Sequence, residues 1–166
     1  MATLTLAVDG VGANDLWTNF GGADKAASVA SPDDDNTSYV TDSIGAVQDL
    51  TFANASLPAG AVIISVEIVC RNLVGIASES PPSMQLFVGA SSNAAVDLNN
   101  TAGYANTSPG AYTTAPDGSS WDATDLDGIF VRLANTTLAT NVRVTTLYAN
   151  VTYRAPSGNL PLVGAG

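Results

Sequence analysis

The residues of this chain that could do chemistry are almost all carboxylates. The 166 residues contain five Lys plus Arg against fifteen Asp plus Glu, which gives a formal charge of -10, and there is no His. Without His, neither a Ser-His-Asp or Cys-His nucleophile system nor a His-ligated zinc site can be built. The single Cys also excludes a disulfide within the chain. Carboxylate chemistry is what remains.

The densest group of oxygen ligands is the run Asp33, Asp34, Asp35, Asn36 and Thr37. Calcium prefers such ligands, but the run lacks the Gly at the sixth position and the Glu at the twelfth that an EF-hand loop requires. Asp and Asn are also ordinary turn formers, so a solvated turn is the favoured interpretation and calcium binding is the alternative. We predict no resident metal or cofactor.

A glycosidase needs two carboxyl groups at a fixed distance, one of them with a raised pKa. Only Glu67 and Glu79 are Glu; the first lies on the wet face of a predicted strand and the second just before Pro81 and Pro82. Neither pattern predicts a buried acid, so we predict that the protein is not an enzyme.

Aromatic residues offer a carbohydrate-binding alternative, because exposed rings in loops stack on sugars. The candidates are Trp17, Phe20, Tyr39, Tyr104, Tyr112 and Trp121. A domain of this size also needs most of its aromatic rings for its core, and tryptophans beside Gly-rich turns commonly close the ends of a sandwich. Exposure of Trp17 or Trp121 distinguishes the two interpretations.

The elements that must position these residues follow a period of two, which is the strand period. In the clearest segment Val62, Ile64, Val66, Ile68 and Cys70 share one face, which predicts a sheet with one buried and one wet side. We predict strands over residues 3–8, 25–30, 38–42, 47–52, 61–71, 83–88, 112–114, 128–134 and 141–153. The expected fold is an all-β antiparallel β-sandwich of eight to nine strands, with jelly-roll or Greek-key connectivity and minimal helix.

Three local features refine this prediction. The last strand changes phase between Val144 and Leu147, which a β-bulge near Thr145 and Thr146 would explain. Residues 121–126 read as one helical turn, with Asp122 as N-cap, Asp125 and Asp127 serving that turn, and Gly128 as its stop. Residues 90–116 are rich in small polar residues and predict a surface loop system or a weak strand pair.

The end of the sequence is the segment most clearly set apart from the domain. We assign residues 1–155 to the β-sandwich and residues 156–166 to a C-terminal extension. The extension carries apolar residues beyond the last strand, and a terminal segment becomes ordered when it is tied down by a contact. We therefore predict an inter-subunit arm, with the subunit contact made by Leu160, Pro161, Leu162 and Val163.

Composition also limits the classes of partner that we expect the protein to bind. An acidic surface repels a phosphate backbone, so we expect no nucleic-acid binding. The sequence contains no apolar run of membrane-spanning length, so we expect no membrane association. Residues 1–6 resemble no secretory signal, which predicts folding in a cytoplasm.

Several strings resemble a β-sandwich domain found among virion proteins of tailed bacteriophages. They are DGVG at 9–12, WTNFGG at 17–22, DDDNTSYV at 33–40, LPAGAVIISV at 57–66, VRV at 142–144 and ANVTY at 149–153. The resemblance spans nearly the whole domain up to Tyr153, concerns turns and strands, and carries over no catalytic residue.

This resemblance implies a structural component of a phage virion, assembled in the host cytoplasm. A capsid decoration or cement protein is the first expectation, with the major capsid protein or other virion subunits as partners and a homo-oligomer, guessed as a trimer. A tail-associated or fibre-associated subunit, a carbohydrate-binding module and a surface adhesion module are the alternatives.

Overall fold

Twelve strands and two short helices make up the part of the chain that the computed structural model describes, residues 1–30, 37–42, 45–76, 81–135 and 140–156. The helices are α1 (Lys25–Val29) and α2 (Ala123–Asp127). The strands are β1 (Ala2–Asp15), β2 (Thr18–Phe20), β3 (Tyr39–Asp42), β4 (Ala46–Phe52), β5 (Val62–Ile76), β6 (Ser83–Val88), β7 (Ser91–Ser92), β8 (Val96–Asp97), β9 (Ala105–Thr107), β10 (Ala111–Tyr112), β11 (Ile129–Asn135) and β12 (Thr140–Arg154).

Every strand pair of the described residues is antiparallel, and the main order is β10-β5-β12-β1-β4-β11-β6-β7. The first strand has a different partner along each half: residues 2–7 pair with β12, and residues 8–15 pair with β4. The prediction of an all-β antiparallel fold with little helix is confirmed. The jelly-roll or Greek-key form of a sandwich, and the boundary at residue 155, stay predictions.

One face of each long strand contributes to a single apolar core, as period-two alternation requires. Along β11 the odd positions are buried and the even positions are half-buried, and along β6 Met84 and Leu86 alternate with half-buried Ser83, Gln85 and Phe87. Further core residues from the other long strands are Leu6, Val8, Leu50, Phe52, Val66, Ile68, Cys70 and Val74.

The predicted bulge in the last strand is present. Val144 pairs with Asn72 and Thr146 pairs with the adjacent Arg71, so Thr145 is the additional residue of β12. The bulge brings the even positions before it and the odd positions after it to the same side of the sheet. The five residues that the phase change concerns are accordingly all buried: Val142, Val144, Leu147, Ala149 and Val151.

The predicted helical turn is also confirmed as α2. The Asp122 carboxylate accepts a hydrogen bond from the Asp125 amide at 2.9 Å, and the Asp125 carboxylate accepts one from the Asp122 amide at 3.0 Å. This reciprocal capping box satisfies two amides that a helix N-terminus otherwise leaves unpaired. Gly128 is the C-cap.

The predicted strand over residues 25–30 is wrong, because this segment forms α1. The Asp24 side chain caps it by accepting from the Ala27 amide at 2.8 Å. Ala has the highest helix propensity, and Ala26 and Val29, three positions apart, face the core together. A five-residue segment with apolar residues at several spacings fits both periods, and the cap decides the outcome.

The structure also corrects the face predicted for the start of β5. Ser65 pairs with Thr152 and Ile63 pairs with the adjacent Tyr153, so Ile64 is an extra residue on β5. Beyond this second bulge the alternation reverses: Ile63 packs against the core, and Val62 is 46% exposed. Strict alternation predicted that Val62 shares the buried face of Val66, and this prediction is wrong because of the bulge.

The remaining predicted strands are present, and all of them except β6 have shifted ends. β1 continues to Asp15 instead of ending near Val8, and β10 ends at Tyr112 because a turn closed by the Gly118 amide on the Ala115 carbonyl follows. The predicted loop system at residues 90–116 contains the short strands β7 to β10.

Candidate functional site

Several predicted site residues lie outside the described residues. These are the interface residues Leu160, Pro161, Leu162 and Val163, the acidic run Asp33 to Asp35, and Glu79. The structure does describe the place where the chain enters the C-terminal extension, and the site is built from there.

The last strand ends beside the start of β5. Arg154, the final residue of β12, pairs with Val62. Two residues later, Pro156 lies against the turn before β5: a Cβ built on Gly60 would be 3.5 Å from the Pro156 Cβ. The turn itself is closed by a hydrogen bond from the Ala61 amide to the Pro58 carbonyl at 2.9 Å, and Gly60 provides its positive φ of 77°. The chain is therefore held beside this turn as far as Pro156.

An open groove of 390 Å³ lies at the same place, and we call it the exit groove. The segment from Ala55 to Ile63 forms one wall, and Trp121, Asp122 and Ala123 form the other. Its apolar lining residues with accessible surface include Leu57, Pro58, Val62 and Ile63. The volume is within the range of about 300–1,000 Å³ that is usual for ligand pockets.

Both walls of the exit groove are held by hydrogen bonds. The Trp121 indole donates to the Tyr112 carbonyl at 2.9 Å, which fixes the ring. The Ala55 amide donates to the Asp127 carboxylate at 3.1 Å and so ties one wall to the end of α2. The capping box of α2 fixes the residues that follow Trp121. A groove with walls fixed in this way can bind an apolar segment without first being reorganised.

Sequence reasoning missed the exit groove. Its lining comes from two segments about sixty residues apart, and Val62 faces it only because of the bulge at Ile64. The sequence did indicate one of its components, since the helical turn at 121–126 was predicted.

The two tryptophans are core residues. Trp17 is 2% exposed and Trp121 is 5% exposed. The Trp17 indole donates to the Ala46 carbonyl at 3.2 Å, and its amide donates to the Gln48 side chain at 3.2 Å. Neither ring offers a free face for sugar stacking, and both rings belong to the core.

An ion pair with a buried carboxylate lies on the outer face of β4 and β11. The Arg132 guanidinium donates to both Asp49 carboxylate oxygens, at 2.8 and 3.0 Å, and the Asn14 side chain donates to one of them at 2.7 Å. The Asp49 side chain is 1% exposed and the Arg132 side chain 32%. Burial by itself raises the pKa of Asp49, but the hydrogen bonds from Arg132 and Asn14 outweigh it and bring the pKa below its ordinary value.

Two stacked phenylalanines extend this ion pair. The rings of Phe87 and Phe130 lie 4.8 Å apart, and the Arg132 guanidinium lies 4.7 Å from the centre of the Phe87 ring. With both carboxylate oxygens of Asp49 occupied by donors, the arrangement joins β1, β4, β6 and β11. It has the geometry of a structural brace.

In the part of the chain that the structure describes, the other candidate acids do not converge on a site. Glu67 accepts a hydrogen bond from the Ser108 hydroxyl at 2.6 Å on the outer side of β5. Among the described residues, no three His, Cys, Asp or Glu side chains are grouped so as to hold a metal ion. No described helix is long and apolar enough to cross a membrane.

Cys70 is fully buried on the inner face of β5, as predicted. Burial raises the pKa of its thiol to about 12, which leaves it protonated and unreactive at neutral pH. It behaves as a small apolar core residue.

No protein-family model and no curated protein matches the sequence.

Proposed function

We propose that this chain is a structural subunit of a tailed-phage virion, a capsid decoration protein that stabilises the shell by contacts between subunits. The six strings at residues 9–12, 17–22, 33–40, 57–66, 142–144 and 149–153 support the proposal through their resemblance to such proteins. The all-β fold is compatible with it.

The observation that carries the proposal is the position at which the chain leaves its last strand. Pro156 lies beside the exit groove and exposed Val62, and the following residues include Leu160, Leu162 and Val163. An apolar segment that starts at a fixed point on the domain can anchor one subunit to its neighbour. Each such contact stabilises the assembled state by mass action over the dissociated one.

A decoration protein acts through contact area, and the described groups fit that role. The ion pair of Asp49 with Arg132 stabilises the sheet, and the buried thiol of Cys70 packs in the core. The proposed partners are the major capsid protein or other virion subunits, and the proposed oligomer is a trimer.

Labelling of particles tests the assignment. An antiserum raised against the purified chain should label the capsid shell of phage particles whose genome encodes the chain, as seen by immunogold electron microscopy. Particles from a deletion mutant are the control, and they should release their DNA at a lower temperature. Label confined to the tail would support the tail or fibre alternative instead. Unlabelled particles would contradict both virion assignments.

A solution-mass measurement tests the assembly part. Light scattering on the full-length chain should give the mass of an oligomer, three times the 16.8 kDa of one chain if the trimer is correct. A monomer at all concentrations would contradict the homo-oligomer.

A further inference from the structure

We propose that the exit groove is the binding site for residues 157–166 of this chain. The inference deepens the proposed function, since the arm's role in assembly rests on that function. Binding of the segment to the groove is a separate claim about two parts of one sequence.

The first argument is reach. The chain passes Gly60, on one wall of the groove, at Pro156. An extended chain advances about 3.3–3.6 Å per residue, so Leu160 and Leu162 come within about 13 and 20 Å of Pro156. Leu160 and Leu162 are therefore close enough to Pro156 to enter the groove.

The second argument is chemical complementarity. Residues 157–166 contain Leu, Pro, Val, Ala and Gly beside one Ser and one Asn, with no acidic or basic side chain. The chain as a whole has a formal charge of -10, and Asp122 lies at the groove. An acidic ligand is repelled there, whereas this uncharged segment meets no like charge.

The third argument is the exposure of Val62. The bulge at Ile64 turns this valine out of the core and into the groove, where 46% of its surface is exposed. Burial of such a surface is favourable by roughly 25 cal/mol per Å². The segment that begins three residues after Arg154, the strand partner of Val62, contains apolar residues that can cover this valine.

Cysteine trapping in the full-length chain tests the proposal. The first variant combines Ala123→Cys, in an exposed position of the groove, with Leu162→Cys in the segment. Native Cys70 does not compete because it is fully buried. After mild oxidation, trypsin should release residues 72–132 linked to residues 155–166, since the only Lys and Arg residues are Lys25, Arg71, Arg132, Arg143 and Arg154. Mass spectrometry quantifies the linked pair.

The matched control replaces Ala123→Cys by Ala102→Cys in the same tryptic peptide. Ala102 is exposed and lies next to Thr101, whose carbonyl accepts from the Val74 amide at 2.9 Å. Val74 is twelve residues along β5 from Val62, a distance of about 40 Å. The Ala123→Cys pair should form at least about tenfold more linked peptide than the control, because docking raises the effective concentration of the two thiols. Equal yields would overturn the proposal.

A third substitution shows whether apolar contact drives the docking. Leu160→Asp, added to the trapping variant, should reduce the yield to that of the Ala102→Cys control, whereas Ser157→Asp should leave it high. An unchanged yield with Leu160→Asp would overturn the proposal even if all variants fold.

The size of the linked product separates this inference from the proposed function. A disulfide within one chain and a disulfide between two chains both support docking in the groove, and they differ on a non-reducing gel. A dimer or larger species also supports the arm as a link between subunits. A linked monomer supports the groove as the binding site and contradicts linkage between copies of this chain.

Discussion

Removal of the Asp49 carboxylate is the sharpest test of what holds β4 and β11 in register. Asp49 accepts two hydrogen bonds from Arg132 and two from Asn14, at distances of 2.7–3.2 Å, and its side chain is 1% exposed. Removing one partner of a buried ion pair costs about 3–5 kcal/mol. Arg132 is a third exposed and can recover some hydration, so Asp49→Ala should lower the free energy of unfolding by about 3 kcal/mol.

Urea unfolding at pH 7 measures this change, with fluorescence of the buried Trp17 and Trp121 as the signal. For a domain of this size, about 3 kcal/mol corresponds to a fall of about 6–12 °C in Tm. Asp15→Ala is the matched control. Asp15 forms an ion pair with Lys25, but its side chain is 49% exposed, and exposed pairs contribute about 0–1 kcal/mol.

The pH dependence gives an independent check. The pKa of Asp49 is lowered from an ordinary value of 3.8, so its stabilising contribution is present above that value and is lost as the pH falls through the native pKa. Wild-type stability should therefore decrease more steeply below about pH 4 than that of Asp49→Asn, which has no carboxylate to protonate. A double-mutant cycle with Arg132→Met isolates the pair. If Asp49→Ala costs no more than Asp15→Ala, the ion pair is not the brace that its geometry indicates.

Three further predictions concern the core, a loop and the exit groove. Ellman's reagent should modify the buried Cys70 only as fast as the protein unfolds, and rapid modification of the native protein would contradict this. The free energy of unfolding should fall as the pH rises above 9.0, because the unfolded chain then ionises a thiol whose native pKa is about 12. Asn72→Ala should lower the free energy of unfolding by about 2–3 kcal/mol and speed hydrogen exchange at Asn99, because the Asn72 side chain hydrogen-bonds to both the Asn99 amide and the Asn99 carbonyl. The control Asn106→Ala, at an exposed position, should change stability little, and equal losses in the two variants would refute the role of Asn72. Val62→Thr should destabilise the full-length chain by about 0.5–1 kcal/mol if residues 157–166 cover this position. Val11→Thr, at a position 43% exposed, is the control and should be close to neutral. Equal denaturation midpoints for the two variants would count against docking.

The sequence predicts the long strands well because their alternation is a physical requirement of a sheet with one buried face. Residues 83–88 were predicted with their observed bounds, and the bulge at Thr145 was visible because two apolar sets of opposite phase cannot otherwise face one core. Residues 25–30 were misassigned because six residues are too few to separate the two periods, and the decisive contact is a cap from Asp24 outside the segment.

The ion pair and the groove depend on long-range contacts, which periodicity does not reveal. Asp49 and Arg132 are 83 positions apart and meet only because β4 and β11 pair in one register. In the sequence each is a charged residue at an outward position, and that pattern is typical of solvent exposure. The depth of Asp49 follows from tertiary structure, since Gly12 of β1 closes over it: a Cβ at Gly12 would lie 2.7 Å from the Asp49 Cβ.

The two bulges of the β5 and β12 pair have opposite consequences, and together they give the site its location. At Thr145 the additional residue keeps an apolar series in the core, because Val144 before it and Leu147 after it are both buried. At Ile64 the additional residue removes an apolar side chain from the core, because Val62 becomes exposed. The first bulge maintains the packing of the domain. The second bulge places the exposed Val62 beside Arg154, where the chain leaves its last strand. Exposure of this valine has a physical reason if its surface binds residues 157–166.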